Sequence, residues 1–322
     1  MTNINEFIEA AKNEIFEILP EDLTRDLVIE ENRVVKMNDQ VLNGLTIRKS
    51  SEEAAPTFYM NDLFDRYMNG EPLKPMMAEV CQGYLDALVT KPEIMETDLS
   101  FDNIKDNLSI RIVEADRNKE FLQENPYMMM GNGFAAVCDI RVHEDNGGYW
   151  KTTVTRGLME DNNYDKTDLF KTAIENSQVT DPVVMYTMAS QLFFDGGDNL
   201  LDIEGQIPEN MKSNMYIITS RDQIFGATTL FYPGVQEIIA EKLGEGYYAL
   251  PSSVHEFIIL PESGGITAKN AADMVYEANH SGIVDPKDVL SDNIFYYDQD
   301  TKKLETIRSE VAREVRDESM RS

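Results

Sequence analysis

Two short turn-forming runs, Asn146-Gly147-Gly148 and Pro251-Ser252-Ser253, each join two strand-forming segments, and a segment of helical periodicity follows each pair. A connection this short reverses the chain onto an antiparallel neighbour, because parallel strands need a crossover of roughly a dozen residues or more. The strands of the first pair are expected at 134–143 and 149–158, and those of the second at 247–250 and 254–260. Helices are expected at 165–176 and 268–279. A strand at 108–113 and a helix at 116–123 precede the first pair; a strand at 215–219 and a helix at 226–243 precede the second. The order β-α-β-β-α thus occurs twice, which predicts an α+β protein with mainly antiparallel sheets covered by helices.

The first hundred residues read as a further unit, α-β-β-α. Ile4, Phe7, Ile8, Ala11, Ile15, Ile18 and Leu19 recur at helical spacing, Asn3 and Glu6 suit a cap and its reciprocal partner, and Pro20 stops the helix. Short strands are expected at 27–29, 34–37 and 41–48, with Asn43-Gly44 as turn or bulge chemistry, then helices at 58–68 and 75–88. Residues 194–199 and 206–210 are linker-like. The expected organisation is 1–95, 96–205 and 206–307, with a charged tail at 308–322.

Charge decides the kind of partner. Lys plus Arg total 29 against 58 Asp plus Glu, a formal charge of 29 − 58 = −29. Nucleic acid and anionic membranes are bound by cations that neutralise phosphates, so neither is an expected partner, whereas a basic protein is. The first residues carry acids where a secretory leader needs bases, and no apolar run approaches the length of a membrane span, so the cytoplasm is the expected location. No glycine-rich phosphate loop occurs, and no cofactor is expected. Cys81, in a predicted helix, and Cys138, in a predicted strand, have no metal-site spacing.

The densest chemistry lies in Tyr247 to Glu262, YYALPSSVHEFIILPE. Along one continuous strand Ser253 and His255 share a face, while Ser252 and Glu256 point the other way. A Ser-His-acid relay requires the acid to orient the imidazole, so an acid for His255 must come from elsewhere. His255-Glu256 also begins a zincin motif, but Ile259 holds its fifth position. The preferred reading is a Pro-Ser-Ser turn entering a strand, with His255 a hydrogen-bonded anchor. Ser252, Ser253, His255 and Glu256 are the only catalytic candidates.

Other clusters have plainer readings. Asp195, Asp198, Asp202 and Glu204 suit a solvated linker better than a calcium loop, and His143, His255 and His280 are too dispersed to read as a metal site. Met76-Met77 and Met128-Met129-Met130 read as core filler rather than a pliable binding surface. Trp150 suits a cross-strand anchor.

The runs VVKMNDQVLNGLTI, APTFYMNDLFDRYMNGEPL, MYIITSRDQIFGATTLFYPG, LPSSVHE and LSDNIFYYD occur in an order that resembles an uncharacterised bacterial family of unknown function. The likeness runs from Val28 to Asp298 and departs from the family pattern at Met37 and Ser220, where the family carries asparagine. It implies a bacterial protein of gut anaerobes, often near mobile genetic elements, and supplies no reaction. The function expected from charge and missing signatures is a non-enzymatic binding or accessory protein engaging a protein partner. The alternative is a hydrolase with Ser253 as nucleophile, His255 as base and a distant carboxylate.

Overall fold

The structure is a computed structural model and describes residues 3–50, 55–90, 99–143, 149–192 and 199–308. The chain divides into two compact units, Met1–Asp98 and Leu99–Ser322. The turn at 146–148, linker residues 194–198 with Asp195 and Asp198, and the tail beyond Arg308 lie outside the described residues.

In the first unit, α1 (Ile4–Ile18) starts where Asn3 accepts the Glu6 N–H at 3.0 Å, and it buries Phe7, Ile8, Ala11 and Ile15. After α2 (Glu21–Thr24), β1 (Leu27–Lys36) and β2 (Gln40–Lys49) form one antiparallel hairpin in register from Leu27 opposite Lys49 to Lys36 opposite Gln40. The two short strands expected at 27–29 and 34–37 are therefore a single strand. Polar Glu30 to Arg33 carry no strand signal, yet their backbone pairs with Asn43 to Thr46 across the ladder. The reversal falls at Met37–Asp39, with Asn38 left-handed at φ 61°. Gly44 lies mid-strand instead of in a turn. A Cβ there would stand 2.5 Å from Thr57 Cγ2, so its absence lets β3 (Thr57–Tyr59) pair with β2. α3 (Asn61–Met68) and α4 (Leu73–Thr90) complete a core of Phe7, Ile15, Leu45, Ile47, Met60 and Tyr84, in which Met76 and Met77 are wholly buried.

The second unit opens with α5 (Phe101–Ile104) and holds two sheets. In the smaller, β4 (Leu108–Glu114) is followed by α6 (Lys119–Glu124), β5 (Tyr127–Gly131), β6 (Phe134–His143) and β7 (Tyr149–Thr153). β4 lies along one edge of β6, and β5 and β7 along the other. β7 ends short of the expected 158 because Thr155 accepts the Leu158 N–H and starts α7 (Arg156–Asp161). α8 (Lys166–Thr180) follows, capped by Asp165. The free edge of β4 is closed by hydroxyls: the Ile110 N–H donates to Ser177 Oγ at 2.9 Å and the Ile112 N–H to Thr228 Oγ1 at 3.2 Å.

The larger sheet begins with β8 (Val183–Thr187), which sequence reading did not anticipate and which leads into α9 (Met188–Leu192). It continues with β9 (Tyr216–Ser220); α10 (Val235–Leu243) then leads to β10 (Tyr247–Ser253) and β11 (Glu256–Pro261). α11 (Ala268–His280), β12 (Ile294–Asp298) and β13 (Lys303–Ile307) complete it. The antiparallel order is β13-β12-β10-β11-β9-β8, so the sheet takes β8 from before residue 205 and its other strands from after it. The helix expected over 226–243 is two pieces, a 3-10 segment Gly226–Phe231 and α10. Pro233 lacks the N–H a helix needs and Gly234 turns left-handed at φ 81°. Phe134 packs against Phe231 at 4.9 Å and Phe295 at 5.2 Å between ring centres, joining the two sheets of this unit. Ala271, Ala272 and Val275 of α11 pack on Leu250, Leu260 and Ile294.

Candidate functional site

The serines, histidine and glutamate singled out above occupy the tip of the β10–β11 hairpin, and the turn is not where Pro251-Ser252-Ser253 placed it. Pro251 stays in the ladder opposite Phe257, the register shifts between Pro251 and Ser253, and Ser253 pairs with Glu256. Val254 and His255 are the turn itself. Proline is tolerated beside such an irregularity because its missing N–H is not called on there. His255 therefore does not stand in a strand, and the alternation that set Ser252 and Glu256 apart from it does not cross the tip. Ser252 and Glu256 meet: the Ser252 hydroxyl donates to Glu256 Oε1 at 3.1 Å. Ser253 Oγ accepts the His255 backbone N–H at 3.1 Å, a local turn-closing bond that involves no imidazole atom.

Both imidazole nitrogens face partners from other elements. Nδ1 accepts the Phe225 N–H at 3.2 Å, which assigns the neutral ring's proton to Nε2, and Nε2 faces Asp288 Oδ1 at 3.9 Å. The ring stacks on Phe225 with centres 5.7 Å apart. The backbone of the tip is tied down as well. Thr219 Oγ1 donates to the His255 carbonyl at 2.7 Å, the Ala227 N–H donates to the Val254 carbonyl at 3.3 Å, and the Val254 N–H donates to the Asp288 carbonyl at 2.8 Å. A general base needs a nitrogen within reach of the proton it takes. Here Nδ1 already holds a backbone donor and Nε2 is turned to a carboxylate, so this arrangement suits an anchor.

The loop from Ser220 to Gly226 that grips the tip is itself tightly specified. Asp222 Oδ1 accepts from Ser220 Oγ at 2.6 Å and from the Ile224 N–H at 3.2 Å, and Phe225 is left-handed at φ 52°. A left-handed backbone is uncommon for a bulky side chain. The ring of Phe225 has neighbours on two sides. One neighbour is His255 and another is the Arg111 guanidinium, 5.3 Å from the ring centre; Arg111 also lies 5.5 Å from the Phe121 ring. Arg111 Nε donates to Asp139 Oδ2 at 2.7 Å and its Nη2 to Thr153 Oγ1 at 2.7 Å. A line of contacts thus runs from Asp288 through His255, Phe225 and Arg111 to Asp139. Sequence reading missed Asp288, Phe225, Arg111 and Asp139. The available signal was the arginine inside the apolar strand Leu-Ser-Ile-Arg-Ile-Val, since a buried cation demands a partner.

A second polar cluster lies at the end of β4. Glu114 Oε1 accepts from Ser291 Oγ at 2.5 Å and from Asn293 Nδ2 at 3.2 Å, and burial pushes its carboxyl above the usual value of 4.5. Arg117 pairs with Asp292 at 3.1 Å, and Asn279 Nδ2 donates to Asp292 Oδ1 at 2.9 Å. This cluster absorbs Ser291, Asp292 and Asn293 of the LSDNIFYYD run. Among the described residues no three His, Cys, Asp or Glu side chains group as metal ligands, and no helix is long and apolar enough to cross a membrane. His143 falls in β6 opposite Tyr149, and Trp150 falls in β7 opposite Val142. His280 ends α11 and stacks on Tyr276 with ring centres 3.9 Å apart.

Comparison with curated proteins and with solved structures gives no match. A family described as a family of unknown function, DUF5688, matches over residues 4–299, through both units and both motif-bearing clusters, and the chain belongs to that family.

Proposed function

We propose that this is a non-enzymatic, acidic binding or accessory protein of a bacterial cell or of a mobile element, working in the cytoplasm by engaging a basic protein partner. The observation that carries the reading is the charge of −29, which favours cationic surfaces and disfavours phosphate backbones. The occupied imidazole supports the non-enzymatic part. Ser252, Ser253, His255 and Glu256 serve in this reading as braces of the hairpin tip, with no cofactor among the protein's requirements.

The test is affinity capture from a native lysate of the source cell at low and moderate salt, with an unrelated protein of equal net charge as control. The expected result is a basic protein retained by this chain and not by the control. That protein, once purified, should bind with an affinity that falls as salt rises. Failure to retain any such protein overturns the binding reading. Covalent labelling of the intact protein by a serine-directed phosphonate, absent in Ser253→Ala, overturns the non-enzymatic reading.

A further inference from the structure

α8 presents an apolar groove of about 800 Å³ whose rim carries lysines, on a protein that is otherwise strongly acidic. It is lined by half-buried Met128 and Ile174, exposed Pro233 and the edge of the buried Phe170, and exposed Lys166 and Lys171 border it. Lys166, Phe170, Ile174 and Gln178 are spaced by four and lie along one stripe of α8, with Thr167, Lys171 and Glu175 as the adjoining stripe. At 1.5 Å per residue the stripe runs roughly 18 Å, about three helical turns.

The lining carries two lysines, Lys166 and Lys171, and one acid, Glu175. Lys166 lies over the Tyr127 ring at 5.5 Å, and among the described residues neither Lys166 nor Lys171 forms an ion pair. Some of the protein's other cations are paired with its own acids, as with Arg66 between Glu71 and Glu79 and Arg141 with Asp181. Two available ammonium groups beside an elongated apolar floor suit an occupant with a similarly long apolar stripe flanked by carboxylates. A screening length of about 8 Å at physiological ionic strength is shorter than the groove. The nearby groups, Lys166, Lys171 and Glu175, therefore set the local field at this groove.

We propose that this groove docks an acidic amphipathic helix of a partner protein, its apolar stripe on Met128, Ile174 and Pro233 and its carboxylates on Lys166 and Lys171. Met128 then serves as an adaptable contact, the role thioethers suit. This surface and this partner chemistry are separate from the basic partner proposed above, so either proposal can fail alone.

The test uses the full-length chain and a synthetic helical peptide of about four turns with leucines on one stripe and glutamates beside it. Saturable binding by fluorescence anisotropy is expected, with a shift of the Met128 methyl resonance during titration. Lys166→Glu with Lys171→Glu should weaken binding about tenfold or more. Ile174→Asp should abolish the methyl shift. Loss of binding counts only for variants with wild-type circular dichroism. No saturation with the wild-type chain, or equal affinity in the lysine double variant, overturns the proposal. So does a Met128 shift produced by dodecanoate and not by the peptide, which assigns the groove to a small anionic amphiphile. Peptide binding seen only after deletion of residues 309–322 assigns it to the chain's own C-terminal segment and overturns it too. Saturable self-association that the lysine double variant abolishes assigns the groove to a second copy and likewise overturns the proposal.

Discussion

The two units bury different kinds of side chain. In Met1–Asp98 the core is Phe7, Ile8, Ala11, Ile15, Leu45, Ile47, Met60, Met76 and their neighbours. Among the described residues, the buried Ser, Thr, Asn, Asp and Arg side chains, from Ser109, Arg111 and Asp139 to Asp181, Thr219 and Ser291, belong to Leu99–Ser322, whereas the first unit buries the Tyr84 hydroxyl within its apolar core. The first unit is held by apolar contact, which is forgiving of detail provided volume is kept. The second holds bent loops against strands with directional bonds, so its specificity rests on partners that must all be present.

Each unit carries one buried cysteine, Cys81 in the first and Cys138 in the second, and burial raises both thiols, Cys81 to about 11. The thiolate is the reactive form, so neither cysteine should react until its own unit opens, and mass-resolved alkylation in urea reports the two units separately. Phe7→Ala should cost the first unit about 3–5 kcal/mol by leaving a cavity, lowering the midpoint for Cys81. Arg111→Met should cost the second unit about 3–5 kcal/mol, because Asp139, 2 % exposed and with no hydrogen-bond partner for Oδ1 among the described residues, is left as a buried charge without its cation. The contrast breaks if Arg111→Met leaves the Cys138 midpoint in place, which would mean that Asp139 is relieved by taking up a proton or by solvent.

A smaller effect tests the grip on the hairpin tip. A Cβ at Gly226 would stand 2.0 Å from Thr219 Oγ1, 2.4 Å from the Ser220 nitrogen and 2.6 Å from the His255 carbonyl oxygen. Gly226→Ala should therefore cost about 1–3 kcal/mol through overpacking. Backbone forms two of those three contacts and cannot swing aside, so the displacement should appear at the tip itself, as a changed environment of the His255 ring in its NMR signals. A stable Gly226→Ala protein with an unmoved His255 signal would show that loop and tip are not coupled as their bonds imply.

Legibility in the sequence follows the same divide. The α1 pattern reads directly because burial of one helical face is a local, periodic demand, and the antiparallel pairing at β6–β7 and β10–β11 reads from the shortness of its connections. The tip of β10–β11 does not. Pro251, Ser252 and Ser253 are all good turn residues, and what moves the turn to Val254-His255 is the set of bonds from Thr219, Phe225, Ala227 and Asp288, none of them near in sequence. β8 was missed because Val-Val-Met-Tyr-Thr is short and follows a helix directly, so only its pairing with β9 identifies it. The site candidates were visible as residues, but their partners were not, because a side-chain contact between distant segments leaves no periodic trace.

The finest test of the comparison is Glu114, a half-buried carboxyl of the second unit. Burial is the largest influence and raises its folded value above the ordinary 4.5; the bonds from Ser291 and Asn293 and the charge of Arg117 act the other way, and Asp292 adds to the rise. The folded protein therefore holds this proton more tightly than the unfolded chain does. Its contribution is fully present below about pH 4.5 and is lost as pH climbs through the raised value. Glu114→Gln keeps an acceptor for Ser291 and removes the titration. With a dithiodipyridine in place of the alkylating agent, since its protonated ring lets thiols react in acid, the Cys138 midpoint of the variant should gain on that of the wild type as pH rises from about 4 to about 7, while the Cys81 midpoints stay parallel. Parallel Cys138 profiles would mean that Ser291, Asn293 and Arg117 already offset the burial of the charge. In that case the polar clusters of the second unit would be as indifferent to pH as the apolar core of the first.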